Sequence, residues 1–159
     1  MRLVTYTDAN GVDRAGALLD QDQKVLDLLT AYRVLEGRDS AALGSILALV
    51  EGGETALELA RSLITKAPSA AVLERASVKL RAPIQPPPQM RDCSCFELHL
   101  RQSFAAARRA RALRTEDPEA TLKAMNTRAD DRVIETFNKQ PIYYKGNRFA
   151  VVGIDDEFQ

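Results

Sequence analysis

A single histidine, His99, lies seven residues after Asp92 and nine before Arg108 in a chain of 159 residues. Imidazole is the side chain best matched to moving a proton near neutral pH, and a guanidinium near it would hold an anionic substrate or a developing negative charge. By spacing alone His99 opens a helix just after a short segment that contains Asp92. A lone histidine placed so serves either as a catalyst or, the commoner use, as a hydrogen-bonded structural residue. Cys93 and Cys95 flank Ser94 in the same segment. Such a pair suits redox chemistry or a soft metal, yet a zinc site needs a second pair that the chain lacks, so two buried thiols are expected. Arg101, Arg108, Arg109, Arg111 and Arg114 follow. Their spacing spreads charge over more than one helical face and no aromatic residues interleave, so a solvated face or one active-site arginine is expected rather than nucleic-acid binding.

Absences narrow the chemistry. There is no Gly-x-Gly-x-x-Gly, no Gly-rich loop ending in Gly-Lys-Ser/Thr and no Gly-x-Ser-x-Gly, which excludes dinucleotide, P-loop and nucleophile-elbow readings. The solitary histidine excludes multi-His metal sites. With 22 basic and 22 acidic side chains the formal net charge is zero, which removes the electrostatic case for a dedicated nucleic-acid or anionic-membrane protein. No apolar run approaches the roughly 18 residues of a membrane span. Met1-Arg-Leu-Val-Thr-Tyr6 lacks the apolar region of a secretory signal, and two cysteines this close cannot staple a scaffold, so a reducing cytoplasm is the expected setting.

The elements that must position these residues divide the chain. Leu3–Tyr6 and Arg14–Leu19, joined by the turn signal Asp8-Ala-Asn10-Gly11, read as a hairpin. Ser40 to about Val50 and Glu54 to about Lys66 carry apolar residues at helical spacing on either side of Gly52-Gly53, two short amphipathic helices whose stripes cover the sheet. Val78–Leu80 reads as a strand before the proline-rich Ala82–Gln89, where regular structure must stop. Phe96–Arg114 is free of proline and rich in Ala, Leu and Arg, a helix of about five turns. Asp117-Pro118 supplies an N-cap and first helical residue for a further helix broken near Asn126-Thr127. Pro141 ends it, Pro141–Asn147 reads as strand and turn, and Arg148–Gly153 as extended chain. The expected domains are 1–77, a linker over 78–89, and 90–159.

Met90-Arg-Asp-Cys-Ser-Cys-Phe-Glu-Leu-His-Leu-Arg-Gln102, followed by Gln140-Pro-Ile-Tyr-Tyr-Lys-Gly-Asn147, resembles the fumarylacetoacetate hydrolase family. The likeness spans the chain: a small N-terminal domain, a proline-rich link, then a catalytic domain opening with a strand, an active-site loop and a helix bearing the catalytic histidine. It implies an α+β fold, a small N-terminal α/β domain followed by the start of a mixed β-roll. It also implies roles: His99 as catalytic base, Asp92 as metal ligand, Arg108 and Tyr144 as substrate contacts. Ser94 stands where fumarylacetoacetase has a tyrosine, and Gln102 where a branch of smaller enzymes has an acid, which leaves the substrate open.

What the resemblance implies is a divalent cation, Mg, Mn or Ca, that grips an oxo-acid while a carbon–carbon bond is hydrolysed, in a cytoplasmic homodimer with no nucleic-acid or membrane partner. The family completes its metal site with a Glu-x-Glu pair and a later Asp that this sequence does not reach, so the β-roll is expected to be unfinished and the chain inactive by itself. Asp155-x-Glu157 imitates the pair but comes only 11 residues after Tyr144, and is expected to be a solvated tail. A folding, dimerising or interaction module is the alternative, and an isomerase, hydratase or decarboxylase of the same family the third reading.

Overall fold

The computed structural model describes residues 1–157. The fold class is α+β, as expected. The chain divides into two compact units, Met1–Pro88 together with the segment from Arg148 onward, and Gln89–Asn147.

In the first unit the expected hairpin forms from β1 (Leu3–Thr7) and β2 (Asp13–Leu19), paired in antiparallel register with Tyr6 opposite Arg14. Asp8 builds its turn by accepting from the amides of Asn10 and Val12. The short β3 (Lys24–Asp27) adds to β2 and leads directly into α1 (Leu28–Glu36), which is capped by Asp27. Two further helices follow, α2 (Ile46–Glu51) and α3 (Gly53–Lys66). They are separate because Gly53 takes a positive φ of 62°, a left-handed conformation that would strain any other residue. The sheet is then completed at both edges: β4 (Val72–Glu74) pairs with β3 and β5 (Lys79–Arg81) with β1, giving the order β4-β3-β2-β1-β5 with every pair antiparallel. The first unit therefore takes up a strand from the segment expected to be a linker, and it also takes up the chain from Arg148.

Alternation along the strands gives the sheet two apolar faces. One carries Ala15, Ala17 and Leu26 against Leu28, Ala31, Leu43, Leu49, Ala60 and Leu63 of the helical layer. Full burial of each leucine contributes about 1.5–3 kcal/mol. The other face carries Tyr6, Val25 and Leu80, flanked by Val4, Leu18, Leu73 and Val78. Gly16 lies on that second face because a Cβ there would stand 2.8 Å from Val25 Cγ1 and 3.2 Å from Tyr6 Cδ1. The Tyr6 ring fills the space that Gly16 leaves.

The second unit is a two-stranded antiparallel ribbon and three helices. The ribbon is β6 (Arg91–Cys93) with β7 (Tyr143–Lys145), and the helices are α4 (Glu97–Ala112), α5 (Pro118–Ala124) and α6 (Arg128–Phe137). Asp117 caps α5 by accepting from the Ala120 amide, and Pro118 takes the first helical position. Leu100, Ala112 and Ile134 are its buried apolar side chains among the described residues.

Two expectations are corrected and a third is refined. Arg148–Ala150 forms a single 3-10 turn instead of extended chain. Cys93 and Cys95 are both exposed, not buried, because the ribbon has no further layer over them among the described residues. The Asp155 tail is exposed at Asp155, as expected, and is also held: Asp155 accepts from Arg75 Nη2 at 2.8 Å and from the Leu80 amide at 2.8 Å, while Asp156 pairs with Lys79 at 3.1 Å and with Arg81. The cause is β5, an edge strand with an open amide and three neighbouring cations, which two carboxylates satisfy together. Glu157 is exposed.

Candidate functional site

The four sequence-derived site residues lie in the second unit. Asp92 and Tyr144 are direct cross-strand partners at the centre of the β6–β7 ribbon. Opposite residues of an antiparallel pair project from the same face with Cβ atoms about 5 Å apart. A carboxylate and a phenol that are 52 positions apart in the chain are thereby held side by side by backbone pairing. The pairing continues on both sides: Gly146 donates to the Met90 carbonyl at 3.0 Å and Ser94 to the Ile142 carbonyl at 2.9 Å. Tyr144 is 72% exposed, and Asp92 is exposed as well.

His99 is the third residue of α4, so it does lie at the helix N-terminal end. It is exposed, and its Nε2 is 3.5 Å from Ser103 Oγ, one turn along the same helix. Two residues before it, Glu97 accepts a 2.7 Å hydrogen bond from Arg101 Nε, and this bond holds the Glu97 carboxyl below the usual carboxylate range.

Arg108 does not share that surface. Nine residues of α-helix turn through about two and a half revolutions and rise about 13.5 Å, so Arg108 and His99 project from opposite sides of α4. The side of α4 that bears Arg108 also bears Phe104 and Arg101, and it packs on α6. Arg108 forms an ion pair with Asp130 there, at the mouth of a cleft of about 190 Å³ that Thr127, Asp131 and Ile134 also line. Sequence reasoning singled out Arg108 but not its partner. The available signal was the seven-residue spacing of Arg101 and Arg108, which returns to one helical face, together with Asp130-Asp131 in the first turn of α6.

A divalent oxygen-seeking cation needs several oxygen ligands, usually more than one carboxylate. Asp92 is the one carboxylate on β6 and its cross-strand partner is a tyrosine. Among the described residues no group of three His, Cys, Asp or Glu side chains is gathered to hold a metal. The residues present therefore do not fit a complete cation site. In comparison with known proteins, the sequence matches no family model and no curated protein. Among the described residues no helix is long and apolar enough to cross a membrane.

Proposed function

We propose that this chain carries part of the site of a carbon–carbon bond hydrolase acting on an acylpyruvate or related oxo-acid, and that it is catalytically incomplete alone. The observation that supports this reading most is the ribbon pairing that sets Asp92 against Tyr144 just ahead of the helix bearing His99. In this reading the Tyr144 hydroxyl donates to a substrate oxygen, Asp92 contributes one ligand to a divalent cation, and His99 takes a proton from water. Arg108 holds a substrate carboxylate only after leaving Asp130. A cytoplasmic homodimer is the setting proposed with it.

The test compares lengths of polypeptide. The 159-residue chain is expected to bind neither Mg nor Mn stoichiometrically and to leave an acylpyruvate intact. A longer form with further carboxylate ligands is expected to turn it over with added Mg or Mn, and to lose about 10²–10⁴-fold on His99→Ala. Tight metal binding by the chain itself, with turnover abolished by His99→Ala, would overturn the claim of incompleteness. An inactive long form would overturn the hydrolase reading.

A second reading has its own observation. The strands of the ribbon are exposed along their whole length, with Tyr143 and Tyr144 at 40% and 72% exposure, and unpaired strand edges are templates for another chain. An interaction module built on this ribbon would show a concentration-dependent mass in sedimentation that a charged substitution at Tyr144 abolishes.

A further inference from the structure

We propose that Cys93 and Cys95 together form a two-thiolate site for a soft monovalent cation of the copper(I) class. The two cysteines are exposed and free. Cys93 ends β6, and the Ser94 amide carries the ladder one residue further to the Ile142 carbonyl, so Cys95 follows directly on the last residue of the ladder. Residues two apart in an extended strand project from the same face. The Cys95 thiol donates to the Cys93 carbonyl oxygen at 3.3 Å, which keeps its sulfur against the Cys93 backbone.

Distances decide what such a pair can do. A disulfide brings its sulfurs to about 2.05 Å and its Cα atoms to no more than about 6.8 Å. Two residues of extended chain span about 6.6 Å, the far end of that range. A cation between two thiolates, with metal–sulfur bonds near 2.3 Å, holds the sulfurs about 4 Å apart or more and so asks less of the strand. Ligand number then selects the ion. No third His, Cys, Asp or Glu joins the pair among the described residues, so an ion that wants four ligands, such as zinc, is not served, whereas thiolates select copper(I), which is content with two.

The charges agree. Binding releases two thiol protons to solvent and leaves an anionic complex, one positive ion between two negative sulfurs. The face that carries Cys93 also carries Arg91, with Lys145 as the cross-strand partner of Arg91 and Tyr143 as that of Cys93. Arg91 lies over the ring of Tyr143, the cross-strand partner of Cys93, at 4.6 Å, so a guanidinium stands on the face that carries Cys93. Asp92 projects from the other face, away from the complex. Neither the ions nor the residues overlap with those of the oxo-acid reading, so the two stand or fall separately.

The test is a titration of the reduced full chain with copper(I) under anaerobic conditions, in competition with a chromophoric copper(I) chelator. One equivalent is expected to be withdrawn from the chelator, and both thiols are expected to become unreactive to a thiol-specific disulfide reagent together. Cys93→Ser and Cys95→Ser are each expected to weaken binding by about 10²–10⁴-fold, the loss of a second ligand held on the same chain. Wild-type affinity in either single variant, protection of one thiol only, or no withdrawal at all would overturn the proposal. Circular dichroism of each variant checks the fold, and Cys95→Ser, outside the paired residues, carries the test if Cys93→Ser disturbs the ribbon.

Discussion

Asp27→Ala is expected to be the most damaging polar substitution in the first unit. Asp27 is 5% exposed and accepts four hydrogen bonds: from Tyr6 Oη at 2.6 Å, Arg14 Nε at 2.5 Å, Arg14 Nη2 at 3.0 Å and the Thr30 amide at 2.8 Å. The carboxylate thus caps α1, neutralises a largely covered guanidinium and satisfies a phenol whose residue is fully buried. Removing one partner of a buried pair costs about 3–5 kcal/mol, because the surviving charge loses its partner and cannot recover full hydration. With a urea slope of about 2 kcal/mol/M, this amounts to a midpoint lower by about 1.5–2.5 M. Far-UV circular dichroism in urea measures it, and hydrogen exchange of β1–β3 peptides assigns the loss to this unit. A shift below about 0.5 M would refute the reasoning, since it would place the pair among exposed ion pairs worth about 1 kcal/mol or less.

The pH dependence has a definite sign. Burial by itself raises the Asp27 carboxyl, but the hydrogen bonds from Arg14, Thr30 and Tyr6 outweigh it and hold the group below the usual carboxylate range. A folded value below the unfolded one contributes stability that is fully present above about pH 4 and is lost as pH falls through the folded value. The gap between wild type and Asp27→Ala is therefore expected to be constant near neutrality and to narrow below about pH 4.

Three further outcomes follow from the packing. Gly16→Ala should destabilise by about 1–3 kcal/mol in the same urea assay, because its Cβ would meet Val25 and Tyr6 on a strand that cannot retreat. Leu49→Ala, at a site with no exposure, should cost about 2–5 kcal/mol and loosen the helical layer. Asp155→Ala frees Arg75 and the Leu80 amide, and limited proteolysis should then cut the segment after Ala150 faster than in wild type, with the sheet core still resistant.

Local chemistry made much of the fold legible. The hairpin follows from extended runs around Asp8-Ala-Asn-Gly11, the break between α2 and α3 from Gly52-Gly53, and the start of α5 from Asp117-Pro118, because each signal acts within a few residues. The opposition of His99 and Arg108 was also present in their spacing, since nine residues is a half-integral number of helical turns. Strands β3 and β4 were harder to read: they hold 4 and 3 residues, too few for alternation to identify them, and β4 exists because a partner far away in sequence, β3, leaves an edge for it to pair with, whereas β5 follows the extended run read at Val78–Leu80.

For the site, residue type and order suggested Asp92, His99, Arg108 and Tyr144, since carboxylate, imidazole, guanidinium and phenol have the same chemistry in any fold. The pairing of Asp92 with Tyr144 lay outside the sequence signal, and the partner of Arg108 was signalled only by helical spacing and Asp130-Asp131. Register across 52 positions put Asp92 against Tyr144, packing of α4 on α6 gave Arg108 to Asp130, and the ribbon left Cys93 and Cys95 in the open. A sequence by itself determines which groups a chain has and how they repeat along a helix or strand. Which of them meet, and which face solvent, is decided only when distant segments close on one another, because the free energy of a pair depends on its distance and burial in the folded chain and not on separation along it.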